Sequence, residues 1–115
     1  MNDKKKFCFD IDGIICSNTW GNYKLAKPIK KNIQIVNKLY KKNHMIILFT
    51  SRYMGRNNER VSEAKKNGYN FTNKQLIKWG VKFHKLIFGK PSYDYIVDDK
   101  CISFDKSWVK KINNL

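Results

Sequence analysis

Four short apolar runs, each closing on polar or charged residues, organise the sequence. The first lies in Lys6 to Gly13, KFCFDIDG, where Phe7, Cys8 and Phe9 give way to Asp10 and Asp12. Met45 to Phe49 ends in Thr50, Ser51 and Arg52, and Leu86 to Phe88 is followed by Gly89, Lys90 and Pro91. Tyr93 to Val97 ends in Asp98 and Asp99. Runs of this length and bulk predict buried strands of a parallel sheet, which reads as continuous apolar sequence rather than as alternation. Between the first two, Ile29, Ile33, Val36, Leu39 and Tyr40 recur at spacings of three and four, predicting one amphipathic helix entered at Pro28 and ending near Lys41 to Asn43. Strand, helix and strand in this order make a right-handed βαβ unit.

The remaining pattern fills in an α/β chain. Ile14 to Pro28, with Trp20, Gly21 and Tyr23, has weak periodicity and reads as a loop or small hairpin over the Asp10 end of the first strand. A short helix is predicted near Asn58 to Asn67. Thr72 followed by Gln75 has the spacing of a capping box, opening a second helix with Leu76, Ile77 and Trp79 that Gly80 stops. Ser103 to Ile112 reads as a closing helix, with Phe104, Trp108, Val109 and Ile112 on its apolar side. No repeat or linker interrupts the chain. The expected architecture is one domain, residues 1–115, with an open, mostly parallel, Rossmann-like sheet flanked by helices.

Composition narrows this picture only in places. Apolar residues at 42% and aromatics at 14% exclude a disordered chain. The net charge of +15 invites a nucleic-acid partner. The lysines, however, are spread along the whole chain without a recognised basic and aromatic motif, which favours a lysine-rich solvated surface. Cys8, Cys16 and Cys101 form no CxxC pair and are odd in number, which suits a reducing compartment. MNDKKK lacks the apolar length of a signal peptide, and no apolar run approaches the roughly 20 residues of a membrane span. The expectation is a soluble, cytoplasmic protein without membrane contact.

Chemistry is concentrated at the ends of the apolar runs. Asp10 and Asp12, two residues apart on a strand, emerge near each other, and their mutual repulsion is relieved by a divalent cation such as Mg2+ or by solvation in an ordinary turn. Gly13 lets the backbone turn where a side chain would obstruct a ligand. In a parallel sheet, Asp10, Asp12, Thr50, Lys90, Asp98 and Asp99 would all lie along one carboxyl edge, the usual ligand crevice. His84, alone before the third run, reads as structural.

With these residues in that order, the sequence resembles the haloacid dehalogenase superfamily of phosphotransferases. FDIDG is similar to its first motif, LFTS to its second, the lysine of GKP to its third and IVDD to its fourth. FTSR, KWG and GKPSYDYIVDDK further resemble the short phosphatases found with capsular-polysaccharide and sugar-nucleotide biosynthesis. The resemblance implies that Asp10 is the nucleophile receiving the phosphoryl group and Asp12 the general acid and base. It implies that Thr50 hydrogen-bonds a nonreacting phosphoryl oxygen and that Lys90 offsets negative charge. Mg2+ would be held by Asp10, the Asp12 carbonyl and the Asp98/Asp99 pair, with Asp99 favoured as the direct ligand. Gly13, Ser51 and Arg52 are the candidates for substrate contact, Arg52 either forking a second anionic group or pairing with a local carboxylate.

The motif spacings leave no room for an inserted cap, since about thirty-five residues separate successive motifs and the core elements use them. An open site follows, which either admits larger phosphorylated substrates or relies on a neighbouring subunit or the Ile14 to Lys27 loop to exclude water; a homo-oligomer is compatible with this. The expected activity is Mg2+-dependent hydrolysis of a small phosphorylated metabolite, a sugar phosphate or related capsule precursor. Two alternatives stand beside it: a phosphatase for nucleotides or nucleic-acid ends, and a non-catalytic basic binding module on the same fold.

Overall fold

The computed structural model describes residues 3–115. Three of the apolar runs become strands: β1 (Lys6–Phe9), β2 (Met45–Thr50) and β3 (Lys85–Phe88). All pair in parallel in the order β1-β2-β3, with Phe9 opposite Leu48 and Leu48 opposite Leu86. Their connections carry α1 (Lys30–Lys41) and α2 (Val61–Lys78), and α3 (Trp108–Asn113) closes the chain. No cap domain interrupts these elements, and no helix among the described residues is long and apolar enough to cross a membrane.

Both crossovers run the same way across the sheet, and right-handed crossovers of that kind put both helices on one face. The burial pattern agrees. Phe7, Phe9, Ile46, Leu48, Thr50, Leu86 and Phe88 share the helix face and are all buried, packed with Ile33, Val36, Leu39, Ala64 and Leu76. The opposite face is thinly covered: Cys8 is exposed, Ile87 is 41% exposed, and Met45, Ile47 and Phe49 are half-buried.

Helix ends follow the local chemistry. At the end of α1, Asn43 takes φ 69°, with its N–H donating to Tyr40 O and that of His44 to Leu39 O. At the end of α2, Gly80 takes φ 75° and the same pair of bonds links Gly80 to Ile77 and Val81 to Leu76. Both are Schellman closures, in which a left-handed residue lets the last carbonyls find donors. The single histidine expected to be structural is so: His84 Nδ1 accepts the Ile46 N–H at 3.0 Å and its ring stacks on Tyr40.

Three expectations are corrected. The short helix over 58–67 and the capped helix from Thr72 are one continuous helix, α2. Thr72 is not a cap but a fully buried mid-helix residue. The closing helix begins at Trp108 rather than Ser103, because Asp105 accepts both the Ser107 N–H and its hydroxyl in a turn that competes with helix formation. Tyr93 to Val97 forms no strand, and every residue from Pro91 to Lys100 is exposed. The reason lies in the connection. Only Gly89 to Ser92 separate it from β3, and a parallel strand requires a crossover of about a dozen residues or more.

Gly68, in the middle of α2, is explained by contact rather than by helix propensity. A Cβ there would run into the Tyr53 ring, which carries the loop after β2 against the helix. Gly68→Ala should therefore lower stability by up to about 2 kcal/mol, an overpacking cost of about 1–3 kcal/mol outweighing the roughly 1 kcal/mol gained in helix propensity, and a higher melting temperature would refute this contact.

Candidate active site

β1 ends at Phe9, and the chain turns at once. Ile11 and Ile15 are fully buried, Gly13 takes φ 93° with its N–H on Cys16 O, and Cys16 bridges to Pro28. This hook, continued through a short 3-10 turn at Tyr23–Leu25, forms one wall of an open cleft of about 640 Å³ at the carboxyl edge. Asp10, Asp12, Ser51 and Arg52 lie in it, with Trp20, Tyr23, Tyr53, Arg56 and Tyr93 around them.

Asp10 sits at the centre. Its Oδ1 accepts the Ile11 N–H at 2.9 Å and its Oδ2 is 3.3 Å from Lys90 Nζ, which arrives from just beyond β3. Burial pushes the Asp10 carboxyl above its ordinary range, outweighing the pull of Lys90 in the other direction. Burial also works against the charge of Lys90, but the adjoining Tyr93 phenol and the Asp10 carboxylate more than offset it and hold its ammonium above the ordinary lysine range. The lysine is thus firmly cationic beside a carboxylate that is costly to ionise.

Arg52 is the second organising group, 1% exposed. Its Nε and Nη2 fork onto Asp12 Oδ2 and Oδ1 at 2.9 and 3.0 Å. Nη1 donates to Gln75 Oε1 at 2.7 Å and to Thr72 Oγ1 at 3.4 Å, and the guanidinium lies 4.6 Å from the Tyr23 ring centroid. Burial opposes its charge, and the hydrogen bonds and attraction of Asp12 win, raising its pKa. Of the two roles open to Arg52 from sequence, the structure realises the pairing with a local carboxylate. Cys16 lies under this pair, its Sγ 3.5 Å from both Asp12 Oδ1 and Arg52 Nη2; burial first, then the Asp12 charge, pushes its thiol up to about 12.

Other sequence-predicted residues take different places. Thr50 is fully buried, its Oγ1 accepting the Arg52 N–H at 3.0 Å, and it does not line the cleft. Strand alternation is the reason: side chains along β2 point to opposite faces, so Thr50 falls on the helix face and its neighbour Ser51 meets the cleft, with its hydroxyl donating to Pro91 O at 3.1 Å. Gly13 shapes the hook but is not a cleft residue. Arg56 was passed over in the sequence. It stacks over Tyr23 and Tyr53 at 5.2 and 4.7 Å, and its only sequence signal is a second arginine four residues after Arg52.

The expected metal set of Asp10, Asp12, Asp98 and Asp99 is not assembled within the chain. No group of three or more His, Cys, Asp or Glu able to hold a metal is present among the described residues. Asp98 and Asp99 stand exposed on the segment after β3, Asp98 Oδ1 accepting the Lys100 N–H, while Arg52 takes both carboxylate oxygens of Asp12, whose expected ligand atom is its backbone carbonyl. Mg2+ is commonly held by one or two carboxylates with water completing the octahedron, and of the four expected aspartates Asp10 is the one whose carboxyl stands in the cleft without an arginine fork.

The sequence matches no family model and no curated protein. The fold is similar to the crystal structure of a target protein from Vibrio cholerae, with a TM-score of 0.80 at 18% identity over 96% of this chain and 97% of that one. At this identity the likeness concerns the fold alone, and it places the chain among α/β proteins with an open parallel sheet.

The Arg52 fork makes a direct test of the site's architecture. Arg52→Ala leaves Asp12 charged and partly buried and should cost about 3 kcal/mol, toward the lower end for a broken buried pair because Asp12 keeps 18% exposure. Arg52→Lys, which supplies one point charge in place of the fork, should lose less. Chemical denaturation of the two variants would show it, and equal stability of Arg52→Ala and the native protein would contradict the assignment.

Proposed function

We propose that the protein is a phosphomonoesterase of the cytoplasm, working through an aspartyl phosphate on Asp10 and acting on a small phosphorylated metabolite, a sugar phosphate or related capsule precursor. The observation that carries the reading is the Asp10 carboxylate held 3.3 Å from Lys90 in an open cleft, at the edge where three parallel strands end. The two groups come from opposite sides of the sheet, 80 residues apart (90 minus 10), so a local turn does not explain their meeting.

In the proposed reaction Asp12 first takes up a proton from solvent on a lone pair that Arg52 leaves open. An Asp10 oxygen then attacks phosphorus, the bond from phosphorus to the leaving oxygen breaks, and Asp12 passes that proton to the leaving oxygen. Water then attacks the phosphoaspartate, Asp12 takes the proton, and the Asp10 carboxylate returns with inorganic phosphate. Lys90 offsets the charge gathered on Asp10 and the phosphoryl oxygens. The Ser51 hydroxyl, rather than that of Thr50, faces the cleft where such an oxygen would lie. Arg52 acts on Asp12, fixing the carboxylate while leaving each oxygen a further lone pair. For Mg2+, which belongs to the reading from sequence, the edge of one chain offers only part of a ligand set.

A second reading, a phosphatase for nucleotides or nucleic-acid ends, draws support from the cleft's rim. Trp20, Tyr23, Tyr53 and Tyr93 border it with Arg56 among them, and aromatic and guanidinium faces suit a nucleobase. A binding module without chemistry would hold such ligands and release no phosphate.

Inorganic phosphate release from sugar phosphates, nucleotides and an aryl phosphate, with Mg2+ and with chelator, decides among these. Asp10→Asn should stay folded and lose activity by at least about a thousandfold, as expected for a covalent nucleophile; an active Asp10→Asn protein would sink the mechanism. The pH profile offers a further check. Asp10 must be ionised to attack and burial raises its pKa, so the acid limb of kcat/KM should lie above the ordinary aspartate value of 3.8 and activity should fall as pH drops through it.

A further inference from the structure

The outer edge of β1 has no neighbour among the described residues. β1 pairs only with β2, and alternation along a parallel strand directs the backbone groups of Lys5, Phe7 and Phe9 toward β2, as the Met45 N–H to Lys5 O bond shows. Those of Lys6, Cys8 and Asp10 are therefore left facing outward. An open edge in the centre of a candidate site is unusual, because unpaired edge groups invite another strand.

A segment with the character of such a strand lies free in the same molecule. Tyr93 to Val97 has no regular structure and bends at Asp94, and its apolar side chains are held in solvent: Tyr95 is 91% exposed, Ile96 52% and Val97 99%. It leads straight into Asp98 and Asp99, the acid pair absent from the site. The segment cannot reach the β1 edge of its own chain in the required direction. Ser51 bonds to Pro91 O and Glu59 accepts from the Ser92 N–H and hydroxyl, which ties the chain near the carboxyl edge up to Ser92. A parallel strand beside β1 would have to begin at the amino edge, about 16 Å away along a five-residue strand and about 14 Å across three strand spacings. One residue does not bridge that gap.

We propose that the Tyr93 to Asp99 segment docks on the β1 edge of a second copy of this chain, adding a parallel fourth strand and bringing Asp98 and Asp99 beside that copy's Asp10. Exchange by both copies is a two-fold swap, with each arm serving the other's edge. The register that sets Asp98 level with Asp10 places Tyr95 beside Phe7 and Val97 beside Phe9, on the face where the partners are buried. Lys90 and Arg52 are already paired with Asp10 and Asp12, so Arg56, on the cleft wall, is the cation that would meet the two incoming carboxylates. The Asp98 and Asp99 carboxyl groups then lie beside that of Asp10, adding oxygen ligands that one chain lacks. This last step rests on the phosphatase reading above; the docking does not.

Light scattering should give the native protein twice the 13.7 kDa of the chain. Val97→Pro removes a backbone donor that a paired strand needs and should give a monomer with an unchanged circular dichroism spectrum. A native monomer, or a dimer indifferent to Val97→Pro, would overturn the docking. Phosphate release then tests the shared site. Asp10→Asn and the Asp98→Asn/Asp99→Asn double variant should each be inactive. After mixing and subunit exchange they should recover about a quarter of the native rate, since half the dimers would hold one intact site of two. No recovery on mixing the two inactive variants, with the native dimer active, would overturn the shared site. A native dimer sensitive to Val97→Pro that releases no phosphate would refute the phosphatase and leave the docking standing.

Discussion

The buried guanidinium of Arg52 is the group on which the site depends. It ties together the hook after β1 through Asp12 and Cys16, the middle of α2 through Thr72 and Gln75, and the turn around Tyr23. A buried charge is tolerated only when its donors are matched, and here the fork to Asp12 supplies the counter-charge while neutral oxygens take other donors. The same contact explains the sequence of α2. Thr72 and Gln75, three apart, fall on one helix face and reach one arginine, so a spacing that also fits a capping box serves a different purpose in the interior.

A division of labour between the two aspartates follows. Asp10 keeps its carboxyl in the cleft, next to Lys90 and made reluctant to ionise by burial; Asp12 is oriented by Arg52 with both oxygens in use. Two like charges so close in sequence are therefore handled by giving each its own cation, drawn from different strand ends. Cys16, whose thiol is held protonated beneath the second pair, fills the space between them without adding charge.

The sheet is less complete than the site. With both crossovers on one side, three strands are buried on one face and leave the other, with Cys8 and Ile87, thinly covered. β1, which leads into Asp10 and Asp12, stands at an edge of the described sheet. A short connection after β3 keeps Lys90 near Asp10, and the same shortness denies the chain its own fourth strand. The short connection that keeps Lys90 beside Asp10 thus also holds the 93–99 segment away from the β1 edge of its own chain.

The sequence by itself determined the three parallel strands, the helix between the first two, and the placing of Asp10 and Lys90 at strand ends. These follow from apolar runs, 3.6-residue spacing and local punctuation by Asn43 and Gly80, all short-range effects. Continuity of α2 was hidden because Gly68 falls between the two expected helices, and only the ring of Tyr53 packed against it shows why glycine is there. Which hydroxyl meets the cleft depended on strand parity at Thr50 and Ser51, and the partner of Arg52 on groups 20 to 40 residues distant. Tyr93 to Val97 carries the composition of a strand, but composition does not say whether the chain before it can span the distance. Pairing is settled by connection length and by who lies next to the open edge, and those are properties of the tertiary structure.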